Sequence, residues 1–376
     1  MRWMTSTACG STLYVLLGTA SLGGCGATEE AGPVATDVET VRSNVGEVRY
    51  VGRFDWSEPN APRGGWSGLS ACAHFDGSAV SAELDDSGQN VFAVILDGAV
   101  QPAKLQTAAG RRVYDLASGL AAAPHEVCLW RLTEALEGET QFYGFLCAGQ
   151  FLPPPPEPRR RIEVIGESIT CGYGVDGPDQ YCPFSAETEN HYRTYAAVAA
   201  REVGADLFTL AWSGKGVFNN RGDRNEPMPE LYLRTLPTRS ASRWDFTTWT
   251  PQAVVINLCT NDFGDGVPDR AAFVDAYLDL VRLVRRNYPS ALILCTLGPM
   301  LSDDWPVGER QLTTARDYIG EVVASMTKAG DERVAFLEFA PQDGSTGYGC
   351  DWHPSAETQA RMGAQLAAAL RARLGW

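Results

Sequence analysis

Four short stretches of the 376-residue chain carry residue types that can act together on an ester. Ser168 sits in Gly166-Glu167-Ser168-Ile169-Thr170, Gly214 in Trp212-Ser213-Gly214-Lys215-Gly216, Asn261 in Thr260-Asn261-Asp262 and His353 in Asp351-Trp352-His353-Pro354. A serine hydroxyl attacks a carbonyl only when a base takes its proton, a third group holds that base, and donors face the oxyanion that forms. Ser168 is the candidate nucleophile, His353 the candidate base, and Asp351 the carboxylate available to orient it. The backbone N–H groups of Ser168 and Gly214 and the side-chain amide of Asn261 are the candidate oxyanion donors, since glycine lets a ligand approach the backbone closely. The chain has four histidines, and His74, His125 and His191 fall outside these stretches.

Chemistry of this kind needs elements that bring distant stretches together. After Pro153-Pro154-Pro155-Pro156-Glu157-Pro158, a stiff segment that can join neither a helix nor a central strand, apolar strands alternate with amphipathic helices. The strands are 162–165, 207–211, 254–258, 292–297 and 334–339, and the helices include 271–286, 310–328 and 356–374. Buried strands alternating with helices imply an α/β domain over 161–376, a parallel sheet between two helical layers. Ligands of such sheets bind beyond the carboxyl ends of the strands, where the first three stretches fall. A helix start after the first strand would further support an anion near Ser168. Residues 48–152 show short apolar runs (91–96, 127–132, 141–147) between Gly, Pro, Asp and Asn clusters, the pattern of an antiparallel β-sandwich; 153–160 is the linker.

With those residues in order, the C-terminal part resembles the SGNH/GDSL hydrolases. Within them, the Gly166-to-Gly174 run, the preceding sandwich and the Asp351-to-Pro354 ending resemble carbohydrate esterase family 2. The resemblance covers about residues 48–376. It implies a jelly roll followed by a three-layer SGNH domain, an acetyl-enzyme mechanism without cofactor, and acetylated plant polysaccharides or oligosaccharides as substrates. Two departures stand out. Cys259 occupies a position that the family usually fills with glycine, which raises a disulfide near the oxyanion hole. Asp351 stands two residues before His353, where the wider superfamily has D-x-x-H. The shorter spacing occurs in family 2, where some members use a Ser–His dyad with backbone carbonyls orienting the imidazole. Both readings of Asp351, orienting acid and turn former, stay open here.

The first 24 residues read as an export signal: one charge, Arg2, then an apolar stretch over 11–22 that is too short to span a bilayer. Leu22-Gly23-Gly24-Cys25 resembles a bacterial lipobox, which makes Cys25 the lipidation site and residues 25–47 a flexible tether. The expected location is the cell envelope or surface, with membrane contact only through that anchor. In an oxidising compartment the remaining cysteines can pair, and the shortest local pairings are Cys171–Cys182, Cys259–Cys295 and Cys128–Cys147. Spacings for a zinc site are missing, so no metal is expected. A net charge of −15 argues against nucleic-acid binding. The Gly172-to-Gly177 run reads as G-x-G-x-x-G, yet Pro178 and Pro183 interrupt any helix that would receive a pyrophosphate. The expected function is a serine esterase that deacetylates xylan or glucomannan. Other acyl esters, or an inactive surface carbohydrate-binding lipoprotein, are the alternatives.

Overall fold

The computed structural model describes residues 40–376. The expected signal peptide, Cys25 and the tether up to residue 39 lie outside the described residues.

Ten strands precede the proline-rich segment: β1 (Thr40–Arg42), β2 (Val48–Val51), β3 (Arg63–Gly64), β4 (Ser70–Asp86), β5 (Val91–Leu96), β6 (Ala99–Val100), β7 (Leu105–Gln106), β8 (Gly110–Ala117), β9 (Ala123–Arg131) and β10 (Thr140–Phe151). All pair antiparallel, and the 17-residue β4 organises them. Its first half lies between β2 and β9, its second between β8 and β10. One strand therefore serves both layers, and Ala73, Phe75, Ala82, Leu84, Val127 and Phe145 meet in a common core. Where β4 passes from one layer to the other, Gly77 pairs with Gly149. A Cβ on Gly77 would lie 2.3 Å from the Ala148 carbonyl oxygen, so the backbones can approach this closely only through glycine. Residues 40–47, expected within the tether, are structured: β1 pairs with β10, and Asn44 and Glu47 form a reciprocal capping box around the turn Val45–Glu47. A three-residue edge strand has too little apolar period to be seen in the sequence.

Beyond the linker come β11 (Arg160–Gly166), α1 (Ser168–Cys171), α2 (Tyr195–Val203), β12 (Ala205–Ala211), α3 (Met228–Leu231), β13 (Ala253–Asn257), α4 (Arg270–Asn287), β14 (Leu292–Leu297), α5 (Gln311–Lys328), β15 (Val334–Glu338) and α6 (Ala356–Leu374). The five strands form a parallel sheet in the order β12-β11-β13-β14-β15. Alternate strand residues face opposite layers: Ile162 and Val164 pack with α2 and α6, Ile165 and Ile256 with α4 and α5. Burial on both faces explains why these strands read as apolar runs. Since β11 lies between β12 and β13, the chain leaves it toward both sides of the sheet. The crevice at its carboxyl end is the topological switch point, where such sheets bind ligands.

The two parts share a core. Phe54, Trp66 and Leu69 join the cluster under α4 and α5, and Arg53, fully buried, donates to Glu163 Oε2 in the centre of β11 at 3.1 Å and to the Arg234 carbonyl at 3.1 Å. Tyr288 also donates to Glu163 at 3.1 Å. Removing one partner of a buried pair strands the other charge, so Arg53→Met should cost about 3–5 kcal/mol in urea unfolding. A loss below about 1 kcal/mol, the range of exposed pairs, would show that Glu163 does not depend on Arg53.

Candidate active site

Ser168 opens α1 immediately beyond β11. A Cβ on Gly166 would sit 2.0 Å from Thr170 Oγ1, so the chain turns this sharply from strand to helix only over glycine. The helix has four residues, too short for the helix-terminus support of an anion expected from the sequence. Ser168 Oγ lies 2.8 Å from His353 Nε2, and both residues are buried.

The other ring nitrogen, His353 Nδ1, faces the Cys350 carbonyl oxygen at 3.1 Å. A carbonyl can only accept, so Nδ1 carries the proton and Nε2 keeps a lone pair for the serine hydroxyl. Burial depresses His353 to about 4, the hydrogen bond to Cys350 partly opposing it, so the ring is a neutral base near pH 7. The Tyr173 ring stacks on the imidazole with centroids 4.1 Å apart.

Asp351 does not orient His353, which corrects one of the two readings. Its exposed carboxylate accepts from the Tyr173 hydroxyl at 2.5 Å. The physical reason is local: Asp351 belongs to the tight turn Cys350–Trp352, and its left-handed backbone (φ 50°) turns its carboxylate to Tyr173 rather than the imidazole. Trp352 is also left-handed at φ 63°. Conformations of this kind cost about 1–3 kcal/mol each and persist where the surroundings enforce them. Enforcement comes from a disulfide between Cys182 and Cys350, a 3.1 Å bond from Asp351 N–H to the Cys182 carbonyl, and Gln342 Nε2 donating to the Trp352 carbonyl at 2.7 Å.

None of the three locally expected cysteine pairs forms. The second disulfide joins Cys72 to Cys128, which lie opposite one another in the β4–β9 register, while Cys147, Cys171, Cys259 and Cys295 are buried thiols. Cross-strand register and loop contact decided the pairing, with sequence separations of 56 and 168. Cys259 has φ 139°, a backbone region that favours glycine, which accounts for the family's usual residue there without a disulfide.

Gly214 (φ 80°) follows β12 and Asn261 follows β13 in the turn Asn261–Phe263. Asn261 Nδ2 donates to the Lys215 carbonyl at 2.9 Å and, more weakly, to Glu167 Oε2 at 3.2 Å. Three carboxyl groups that sequence reasoning passed over hold these loops. Glu167, pushed up to about 7 by burial, holds its Oε2 2.9 Å from Ser168 Oγ, where it competes with His353 Nε2 for the single hydroxyl proton, and so ties the serine to Asn261. Asp262 accepts the N–H groups of Val217, Phe218 and Asn219 at 2.7–3.0 Å, fixing the loop beyond Gly214. Glu134, from the turn before β10, accepts the Ser213 N–H at 2.7 Å and the Cys171 thiol at 3.8 Å. Among the described residues, Glu134, Cys171 and Glu189 are the group whose potential ligand atoms lie within 4.8 Å of one another. Burial raises all three, and the hydrogen bonds from Cys171 and Ser213 engage Glu134 as a structural acceptor. A signal for Glu167 and Asp262 was present, since both adjoin candidate site residues; Glu134 had none.

Ser168, Tyr173, Gly214, Asn261, Trp305 and His353 border one cavity of about 410 Å³. The family model described as GDSL-like Lipase/Acylhydrolase family matches residues 164–361. A second, Carbohydrate esterase 2 N-terminal, matches residues 50–156. A solved family two carbohydrate esterase from Clostridium thermocellum, in complex with cellohexaose, is 43% identical with a TM-score of 0.84, covering 88% of this chain and 99% of that one. The chain belongs to carbohydrate esterase family 2. It is also 44% identical over 344 residues to the cellulase/esterase CelE of Acetivibrio thermocellus, covering 91% of this chain and 41% of that protein. An acetylxylan esterase/glucomannan deacetylase of Cellvibrio japonicus is 25% identical over 371 residues, covering 97% and 98%.

Two outcomes follow from the geometry of His353. Removing a triad carboxylate costs about 10⁴ in kcat, whereas Asp351→Asn should lower hydrolysis of p-nitrophenyl acetate by less than about tenfold because the carboxylate does not touch the imidazole. A loss near 10⁴ would restore it as the orienting acid. The second concerns pH. Since the folded value lies below the ordinary 6.5, the base form persists through that pH and is lost only as the pH falls through about 4. An acid limb of kcat/KM at 6.5 that survives Glu167→Gln, a change that removes the nearby carboxyl's own titration, would contradict the assignment.

Proposed function

We propose that the protein is a serine esterase that removes O-acetyl groups from plant cell-wall polysaccharides such as xylan and glucomannan. The observation that carries this reading is the 2.8 Å contact of Ser168 Oγ with the Nε2 of a neutral His353 whose Nδ1 proton is already committed to a carbonyl. His353 takes the hydroxyl proton as Ser168 attacks the acetyl carbonyl. The N–H groups of Ser168 and Gly214 and the Asn261 amide receive the oxyanion. Both Asn261 amide hydrogens have partners at rest, and the longer bond, to Glu167, is the one that yields to the oxyanion. The protonated His353 then returns its proton to the departing sugar oxygen. Water, deprotonated by His353, hydrolyses the acetyl-serine, and acetate leaves with the serine restored.

The rim supports a carbohydrate leaving group. Trp305 is 74% exposed and Trp352 51% exposed beside the cavity, and exposed indole faces can stack on sugar rings. The names borne by the relatives, cellulase/esterase and acetylxylan esterase/glucomannan deacetylase, agree with such a substrate. Export with a lipid on Cys25 belongs to the same reading, supported by the lipobox-like Leu22-to-Cys25 run and by two disulfides, which persist in oxidising compartments.

Acetate release from acetylated xylan and glucomannan tests the chemistry. Ser168→Ala should abolish it, and Asn261→Ala should cost about 10²–10³ in kcat. Full turnover by Ser168→Ala would end the mechanism, and faster hydrolysis of long acyl esters than of acetyl esters would replace the substrate class. For the anchor, an alkyne-tagged fatty acid fed to expressing cells should label the wild type and not Cys25→Ser; equal labelling of both would refute it.

A further inference from the structure

We propose that Cys182 and Cys350 are positioning residues: their disulfide fixes the Cys350 carbonyl, which selects the working tautomer of His353, so turnover depends on the bond. The inference rests on Ser168 and His353 acting as the esterase dyad.

A single peptide plane links the disulfide to the base. The bond between Cys350 and Asp351 presents its carbonyl oxygen to His353 Nδ1 at 3.1 Å and, at its opposite edge, its N–H to the Cys182 carbonyl at 3.1 Å. Cys182 therefore grips this plane twice, through sulfur and through a backbone hydrogen bond. Rotation of the plane would swing the Cys350 carbonyl off the imidazole. With no carboxylate bonded to Nδ1 in its place, the proton would no longer be held on that nitrogen. Two left-handed residues, Asp351 and Trp352, immediately follow the plane, so the turn is one that the chain does not adopt unaided. The Cys350 N–H donates to the Gly174 carbonyl at 3.1 Å and the Cys350 carbonyl also accepts the His353 backbone N–H at 3.1 Å, while the far edge of the plane is held by the loop around Cys182 alone.

Cys182 is partly exposed and Cys350 is buried, so an external dithiol meets the bond at the Cys182 sulfur. Dithiothreitol attacks there, forms a mixed disulfide and closes to its cyclic disulfide. It is oxidised by two electrons while Cys182 and Cys350 each gain a proton and become thiols. The other disulfide, Cys72–Cys128, lies within the sandwich and can be removed from the comparison. An esterase built this way is slow wherever thiols are kept reduced and reaches full rate after oxidation.

The test uses the full chain carrying Cys72→Ser and Cys128→Ser, assayed on p-nitrophenyl acetate at 25 °C before reduction, after dithiothreitol, and after reoxidation, with circular dichroism at each stage. The expected result is a fall in kcat of at least about tenfold with KM within about twofold, the pattern of a lost transition-state interaction, fully reversed by reoxidation. Cys182→Ala should start at the reduced rate and ignore the reductant. A reduced protein that is folded and keeps kcat within twofold overturns the proposal, and so does loss of the fold on reduction, which would make the bond a stabiliser only. Ser168→Ala in the same assay separates the failures. If it is inactive while reduction changes nothing, only this inference fails; if it keeps its turnover, the dyad fails and the inference falls with it.

Discussion

The hydrogen bond from His353 Nδ1 to the Cys350 carbonyl is the contact on which the site depends. Imidazole accepts a proton at one nitrogen only if the other nitrogen already holds one. In many serine hydrolases a buried carboxylate secures that arrangement and also stabilises the imidazolium that forms. Here a neutral carbonyl secures the tautomer, and burial holds the resting ring uncharged. A carbonyl is a weaker counterpart to a cation than a carboxylate, so positional accuracy matters more. The geometry reflects that: a disulfide, two backbone hydrogen bonds and a stacked tyrosine surround a turn of three residues.

Support for the remaining groups comes from farther away. The sandwich contributes to the core under the sheet, and its Glu134 receives the N–H of Ser213, the residue before Gly214. Glu167 connects the serine to Asn261, and Asp262 gathers three amides of the Gly214 loop. Three buried carboxyl groups thus fix the loops after β11, β12 and β13: Glu167 touches the serine hydroxyl itself, while Asp262 and Glu134 stand outside the proton path between Ser168 and His353. Arg53, reaching from the sandwich to Glu163 inside β11, ties the same strand that delivers the nucleophile.

Much of this was legible in the sequence because the signals are local. Buried parallel strands are apolar runs, and β14 and α6 coincide with the predicted 292–297 and 356–374. The nucleophile, glycine and asparagine stretches declared themselves by lying at strand ends and the histidine stretch by preceding the last helix, and the fold brings all four to one cavity. Features set by tertiary contact were not legible. The 17-residue β4 hides behind Ala, Ser, Gly and Asp because it is flanked by different partners along its length. Cys182–Cys350 spans 168 positions, and nothing in the spacing of cysteines distinguishes it from a local pair. Asp351 is adjacent in sequence to the right place and turned to the wrong side by its own backbone conformation. Tyr173 lay unnoticed inside a glycine run that resembled a nucleotide motif, although those glycines build the loop that carries its ring to the imidazole.

The nitrogen chemical shifts of His353 report most directly on whether the Cys350 carbonyl holds its tautomer. In protein labelled with ¹⁵N-histidine, a long-range ¹H–¹⁵N correlation spectrum at neutral pH distinguishes protonated from unprotonated ring nitrogens, and loss of signals in His353→Gln assigns them among four histidines. A carbonyl-held base predicts the neutral Nδ1–H tautomer, with Nε2 unprotonated, in the wild type and unchanged in Asp351→Asn. A ring protonated on Nε2, or a tautomer that collapses when the Asp351 carboxylate is removed, would contradict it.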